Sequence, residues 1–191
     1  MTLFQADTKR NAVLKATLNL ISEHGFHGTS MAMIAAEAEV GAGTIYRYFA
    51  SKDILINELF LEIKEQFTAA LLAHDDDTMS LKQRVEYIWI ALIKQYIAYP
   101  AELRFMEQYA NSPFLSTDTL RRQNELSVPF TTLLEQGLTT GLFRDLPIEV
   151  LRVFMYGPAL QLAKQHIAGV TVLHDALLAA AFDACWAAVT R

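Results

Sequence analysis

Cysteine is almost absent from this chain of 191 residues. Cys185 stands alone, which excludes an intrachain disulfide and favours a reducing compartment. No uninterrupted apolar run reaches the length of a membrane helix, and no basic segment precedes an apolar one near residue 1. Runs that alternate apolar and polar residues are also scarce. Because leucine and alanine dominate instead, the sequence predicts an all-α, cytoplasmic protein with no membrane contact.

Basic residues are fewer than a nucleic-acid partner would suggest, since 16 Lys and Arg face 21 Asp and Glu and the net charge is −5. The charge is unevenly distributed, however. Residues 1–52 carry five basic and four acidic side chains, and the remainder carries 11 and 17. The first part is therefore +1 and the rest −6, a sign that fits a DNA-facing end and an acidic body.

Patterns of catalysis and metal binding are missing as well. His24, His27, His166 and His174 have no partners at metal-ligand spacing, and there is no serine elbow or Cys–His arrangement. Gly41-x-Gly43 lacks the preceding strand and the third glycine of a nucleotide loop. The run from His74 to Asp77 could hold a hard cation, but a solvated loop is the simpler interpretation. We expect no enzyme, no metal and no cofactor.

Residues 29–52, TSMAMIAAEAEVGAGTIYRYFASK, predict two short helices joined by a tight turn. The first opens at Thr29 or Ser30, either of which can cap it, and the second opens at Gly41. Ile45 and Phe49 lie four residues apart and give the second helix an apolar face. Helices this short need another helix to pack against, and the apolar periodicity between Thr8 and Gly28 predicts one. A three-helix unit with a protruding polar-aromatic helix is the geometry that reads the DNA major groove.

This stretch resembles the DNA-binding domain of the tetracycline-repressor (TetR) family of bacterial transcription regulators. The resemblance covers about the first quarter of the chain. It is carried by Gly25-Phe26, Gly28-Thr29-Ser30, Ile34-Ala35, Ala38, Val40, Gly43-Thr44-Ile45-Tyr46, Tyr48-Phe49 and Ser51-Lys52. It implies a nine-helix architecture, with a DNA-binding domain over 1–52 and a ligand-binding and dimerisation domain over 53–191.

Two positions depart from the family pattern. Glu39 stands where the family usually has a small turn residue, often glycine, and is strained if its φ is positive. Gly41-Ala42 stands where Ser-Lys or Ser-Arg is frequent, so a cation that could meet a phosphate is lost. We therefore expect weaker, strongly salt-sensitive DNA binding, or compensation from Arg47, Lys52, Lys9 and Arg10.

The remaining helices follow from apolar periodicity and from the positions of proline and glycine. We expect them over residues 51–73, 80–99, 100–110, 118–140, 148–168 and 172–189. Pro129 and Pro158 fall inside two of them and predict a kink or a gap. The 51–73 helix leaves the DNA-binding part and enters the body, so it is the expected mechanical link.

The predicted DNA contacts come from the second short helix and its flanks. Hydroxyls would meet phosphates or base edges, and Arg47 would reach a guanine or a phosphate. In isolation, Tyr46 and Tyr48 would be interpreted as core aromatics and Arg47 as a solvated surface charge. The surrounding motif favours DNA contact instead. The predicted set is Thr29, Ser30, Ala42, Gly43, Thr44, Tyr46, Arg47, Tyr48 and Lys52.

The body is rich in large, soft side chains, which either fill the core or line a cavity for a flat or elongated apolar ligand. Glu107 could select a cation there, although a solvated position is the simpler interpretation. The predicted effector is a hydrophobic or aromatic small molecule. The predicted ligand-binding residues are Phe67, Trp89, Ile93, Tyr96, Phe105, Met106, Tyr109, Phe130, Met155 and Tyr156.

Small residues recur in the last two helices and would allow close helix packing, as in a four-helix dimer seam. An alanine-rich terminal helix packed on its own body is the alternative. Because proteins of this type bind paired half-sites, we expect a homodimer. The predicted interface is Val153, Leu160, Ala163, Ile167, Leu177, Ala181 and Ala184.

The sequence thus predicts a ligand-responsive transcriptional regulator, a repressor released from a palindromic operator in double-stranded DNA. Two alternatives remain open. In the first, a DNA-binding regulator has no small-molecule effector and acts constitutively or under a protein partner. In the second, a helical small-molecule-binding protein or enzyme does not act on DNA at all.

Overall fold

A computed structural model describes residue 4 and residues 8–110 and 112–191. Over these residues the chain forms nine α-helices and no strand, which confirms the predicted all-α class. The helices are α1 Lys9–Gly28, α2 Met31–Glu37, α3 Ala42–Tyr48, α4 Lys52–Leu72, α5 Leu81–Ala98, α6 Pro100–Ala110, α7 Thr117–Thr139, α8 Ile148–Ile167 and α9 Asp175–Val189. Within the same ranges, none of them combines the length and apolarity needed to cross a bilayer.

The chain divides into two compact units. The first comprises residues 1–66 and 99–124, and the second comprises residues 67–98 and 125–191. α4 and α7 therefore each contribute to both units. The expected boundary after residue 52 stays a prediction.

α1 is the floor of the first unit. Its start is capped by Thr8, whose hydroxyl accepts a hydrogen bond from the Asn11 amide at 3.1 Å. Its last turn is broken at Gly25, which has a φ of 69°, a conformation that glycine adopts without steric cost. α1 packs against α2, α3 and α6, and Phe26 near its end contacts the rings of Phe105 and Phe114.

Asn57 on α4 holds the segment between α6 and α7 in place. Its amide nitrogen donates to the carbonyls of Asp53 at 2.6 Å and Phe114 at 2.9 Å. Its amide oxygen accepts from the hydroxyls of Tyr109 at 2.7 Å and Thr119 at 2.5 Å. The Asn57 side chain therefore connects α4 to three other parts of the first unit: α6, the loop after it, and the start of α7.

The second unit is built on α5, α8 and α9. α8 runs along α5, and Ala159 and Ala163 are fully buried there, where their small size lets the two helices approach closely. The indole nitrogen of Trp89 donates to the carbonyl of Met155 at 2.6 Å, close to Pro158, which cannot donate a backbone hydrogen bond. Pro129 and Pro158 both lie inside continuous helices, α7 and α8.

We predict that Asn57→Ala lowers the free energy of unfolding by about 2–4 kcal/mol. The reason is that two hydroxyls and a carbonyl lose their partner together. Urea unfolding followed by circular dichroism measures this change. Asn19→Ala is the matched control, because Asn19 is half-buried on α1 and its side chain makes no hydrogen bond to the residues that the structure describes. A loss below about 0.5 kcal/mol for Asn57→Ala would contradict the assigned role.

Candidate nucleic-acid interface

α2 begins as the sequence predicts. The Ser30 hydroxyl caps it by accepting a hydrogen bond from the Met33 amide at 3.2 Å, and Ser30 itself is exposed. Thr29 is different. It is buried, and its hydroxyl donates to the Gly25 carbonyl at 2.9 Å. The predicted phosphate contact of the Thr29 side chain is therefore corrected: this hydroxyl closes the end of α1.

The turn between α2 and α3 centres on Glu39. Its φ is 53°, the positive value at which a residue other than glycine is strained. Backbone hydrogen bonds hold this geometry, from the Glu39 amide to the Ala36 carbonyl at 3.1 Å and from the Val40 amide to the Ala35 carbonyl at 3.0 Å. The strain is therefore overcome by the packing on either side of the turn.

α3 is oriented by its apolar face. Ile45 and Phe49 are buried, and this orientation leaves Tyr46, Arg47 and Tyr48 exposed on the opposite side. Tyr46 is 55% exposed, which is far more than a core aromatic shows. Ala42 and Gly43 are also exposed and Thr44 is half-buried. A Cβ added at Gly43 would meet no atom within 4 Å, so another molecule can approach the backbone closely at this point.

Arg47 and Tyr48 contact each other on this exposed side. The guanidinium carbon of Arg47 lies 5.2 Å from the centre of the Tyr48 ring, and an Arg47 nitrogen donates to the Tyr48 hydroxyl at 3.3 Å. Both contacts are at the surface, where they are weak and reversible. Arg47 can therefore exchange them for an anionic partner.

Two of the cations expected to compensate for Ala42 are engaged within the first unit. Arg10 pairs with Glu62 at 2.9 Å and lies 5.6 Å from the centre of the Phe49 ring. The Lys52 ammonium donates to the Phe26 carbonyl, while its remaining N–H groups can still turn to a phosphate. Lys9 and Arg47 are exposed and stay available. Of the four cations expected to compensate for Ala42, Arg47 and Lys9 are therefore the two most exposed to a partner.

The predicted ligand-binding residues do not all belong to one unit. Phe105, Met106 and Tyr109 lie in the first unit, where Phe105 and Tyr109 are fully buried and Tyr109 stacks on Phe60 with ring centres 4.2 Å apart. This packing places Phe105 and Tyr109 in the core of that unit, and Met106 is half-buried. The other seven, in the second unit, are the buried Phe67, Trp89, Ile93 and Met155 and the half-buried Tyr96, Phe130 and Tyr156.

The first unit also contains an open groove of about 390 Å³ beside α4. It is lined by apolar side chains together with Asp53, Glu58, Asp118 and Arg122. Arg122 pairs with Glu58 at 3.2 Å, and Asp118 pairs with Arg121 at 2.7 Å. Because these charges are largely satisfied within the chain, the groove has no strong preference for a charged ligand.

Most of the predicted dimer residues lie at the surface of the second unit. Val153 is 68% exposed and Ile167 is 40% exposed. Ala184 is exposed, and Leu160, Leu177 and Ala181 are half-buried. Ala163 is corrected, because it is fully buried against the chain's own core and cannot meet a second copy.

The described side chains offer no cluster of three or more His, Cys, Asp or Glu that could hold a metal ion. The acidic residues Asp75 and Asp77, in the loop after α4, form ion pairs within the chain. Arg84 pairs with Asp75 at 2.6 Å and with Asp77 at 3.1 Å. The Arg84 guanidinium holds the pKa of the Asp75 carboxyl below its usual value. The run therefore anchors the start of α5.

Two short helices held on a longer one, with the second exposing Tyr46 and Arg47, define a helix-turn-helix DNA-binding protein. Residues 13–59 match the family described as "Bacterial regulatory proteins, tetR family". Residues 80–190 match "Tetracyclin repressor-like, C-terminal domain", which is more than half of the chain. The chain belongs to the TetR family of bacterial transcriptional regulators.

Individual relatives agree with this assignment. An HTH-type transcriptional regulator of Haemophilus influenzae is 26% identical over 151 residues, 79% of each chain. A TetR family transcription regulator from Marinobacter aquaeolei has a similar structure, with a TM-score of 0.90 and 27% identity over 96% of each chain. A protein of the same family from Shewanella has a TM-score of 0.87 and 31% identity, covering 96% of this chain and 99% of its own. The chain is thus a DNA-binding regulator and not an enzyme.

We predict that Glu39→Gly raises the free energy of unfolding by about 0.5–1 kcal/mol, because glycine adopts a positive φ without strain. Thermal unfolding at fixed pH measures the difference. Glu37→Gly is the matched control, since it removes the same side chain from the last turn of α2 and should bring no gain. A loss of stability in Glu39→Gly would show that the turn is not strained.

Proposed function

We propose that this protein is a homodimeric repressor that binds a palindromic DNA operator through α3 and is released from it by a small hydrophobic or aromatic effector. The exposure of Tyr46 and Arg47 on a helix whose other face is buried carries the DNA-binding part of the proposal. Because such a regulator acts on the bacterial chromosome, we place it in the cytoplasm.

The contacts proposed with DNA come from α3 and its flanks. Arg47 would reach a guanine edge or a phosphate, and Tyr46 and Thr44 would offer hydroxyls. Ala42 and Gly43, at the start of α3, leave room for the backbone to approach the duplex. Ser30, Tyr48 and Lys52 would contact the flanking phosphates.

We predict that Arg47→Ala weakens operator binding roughly 5- to 150-fold at fixed salt, the range for a lost base or charged phosphate contact. DNA fragments selected from a random pool by the wild-type protein provide the operator, and fluorescence anisotropy measures the affinity. Arg144→Ala is the matched control, since Arg144 is an exposed arginine of the second unit. Unchanged affinity in Arg47→Ala would refute DNA reading by α3.

The dimer is proposed to form through the outer surfaces of α8 and α9. Val153, Leu160 and Ile167 on α8 leave apolar area at the surface, and Ala184 on α9 is small and exposed. A large exposed apolar area is unfavourable in water unless a partner covers it. A twofold pair would present two α3 helices about 34 Å apart, one turn of DNA, as a palindrome requires.

We predict that Val153→Glu converts the dimer to a monomer, because it would bury an unpaired charge in the interface. Light scattering after size-exclusion chromatography measures the mass, and operator affinity should fall with it. Val128→Glu changes a valine of similar exposure on α7 and should leave the dimer intact. A dimer that persists in Val153→Glu would place the interface elsewhere.

The effector is proposed to bind the second unit, near the half-buried rings of Tyr96, Phe130 and Tyr156. α4 extends from the first unit into the second, so repacking around Phe67 could move the DNA-binding end. A ligand shifts the two states only by its difference in affinity for them. Adding lipophilic compounds to the protein–operator complex tests this step, and a complex that no ligand dissociates would favour a regulator without an effector.

A further inference from the structure

Arg152 on α8 is an arginine without an acidic partner. In the portions of the chain that the structure describes, no carboxylate oxygen lies within 4.0 Å of its guanidinium, whereas four other arginines, Arg10, Arg84, Arg121 and Arg122, form ion pairs. One nitrogen of Arg152 donates to the hydroxyl of Thr131 on α7. A guanidinium has five N–H donors, so a single neutral acceptor leaves most of its capacity unused.

The position of Arg152 makes this arrangement costly. Arg152 is half-buried and precedes Tyr156 by one helical turn, on the same face of α8 and next to the buried stripe of Leu151 and Met155. A partly desolvated charge normally has a counter-ion close by. The described residues place no such counter-ion beside Arg152.

Tyr156 adds a hydrogen-bond donor beside this charge. Its hydroxyl makes no hydrogen bond to the described residues, and its ring packs against the core of the second unit. Burial raises the pKa of Tyr156 to about 12, in spite of the opposing charge of Arg152. The hydroxyl therefore keeps its proton at neutral pH and can donate it to an anion.

Several aromatic side chains of the same unit are linked to these two polar groups. Phe67 and Tyr96 have ring centres 6.0 Å apart, and Tyr96 interacts electrostatically with Tyr156. Phe130 on α7 is half-buried beside Thr131. The cluster thus combines apolar surface, one unpaired cation and one free hydroxyl donor, all within the second unit.

We propose that Arg152 and Tyr156 form the head-group site for an apolar small molecule that carries one anionic group, a carboxylate or a phosphate. Arginine binds both groups in a bidentate manner, and a neighbouring hydroxyl adds a third hydrogen bond. The inference rests on the proposed effector function and defines the chemical class of the effector as an anionic amphiphile.

The test compares three probes that share one alkyl chain: dodecanoate, dodecyl phosphate and dodecan-1-ol. Isothermal titration of the whole 191-residue chain, below micelle-forming concentrations, measures their affinities. We expect at least one anionic probe to bind about tenfold or more tightly than the alcohol, as a charged hydrogen-bonded pair implies. The two anionic arms distinguish a carboxylate site from a phosphate site.

Variants then assign the selectivity to residues. Arg152→Gln should reduce the affinity of the favoured anion to that of the alcohol, Arg152→Lys should retain part of the preference, and Tyr156→Phe should weaken the anion several-fold. Arg144→Gln removes an exposed arginine of the same unit and should change nothing. Thermal unfolding and operator binding verify that each variant is folded, and Tyr156→Phe keeps the test decisive if Arg152→Gln does not fold.

Equal affinity for the three probes, no binding of any probe, or an equal loss for the alcohol and the anion in Arg152→Gln would overturn the head-group site. Operator release is measured in parallel and separates the two proposals. Anion-selective binding without release of DNA would leave the head-group site standing and remove the effector function. Release of DNA by dodecan-1-ol alone would support the effector function and overturn the head-group site.

Discussion

The burial of Ile45 and Phe49 is the interaction on which the DNA-binding part of this protein depends. α3 has only seven residues and could not persist alone in water, so its orientation comes from the apolar contacts of one face. Once that face is fixed, helical geometry leaves Tyr46 and Arg47 on the opposite side. The side chains proposed to meet DNA are therefore oriented by two buried side chains that would not touch DNA themselves.

The same dependence explains why a strained turn persists. Glu39 holds a φ of 53° because α2 and α3 are each tied down by buried residues, and the connection between them is too short for another path. Strain of this size is small compared with the burial of Ile34, Ile45 and Phe49 together. The packing of α2 and α3 therefore determines the conformation of the turn, and this packing forms without a glycine at position 39.

Helix positions could be predicted closely from the sequence. The expected helix over 51–73 is observed as Lys52–Leu72, and that over 148–168 as Ile148–Ile167, because caps, glycines and apolar periodicity are local signals. The last helix begins at Asp175 and not at residue 172, since His174 caps it by accepting a hydrogen bond from the Leu177 amide. Histidine is not among the usual capping residues.

Long-range partners could not be predicted in the same way. Ala163 and Ala184 give the same compositional signal, yet one packs inside the chain and the other faces solvent. Phe105 and Tyr109 belong to the predicted ligand-binding set, yet they pack in the first unit near Phe60, whereas Tyr96, Phe130 and Tyr156 of the same set lie in the second unit. Which side of a helix meets its own chain depends on pairings between residues far apart in the sequence, and a local pattern does not encode them.

The ion pairs of the arginines also could not be predicted from the sequence, and the structure shows which arginines have them. Arg10, Arg84, Arg122 and Arg152 look alike in sequence, as basic residues within or next to apolar helical stretches. Three of them form ion pairs inside their own unit, and among the described residues the hydrogen bond of Arg152 goes to the Thr131 hydroxyl. Only the folded arrangement separates a cation whose charge is already balanced from one whose charge is not. Because a half-buried guanidinium lowers stability unless it is paired, a bound anion that met Arg152 would stabilise the folded state, which is the physical basis of the proposed head-group site.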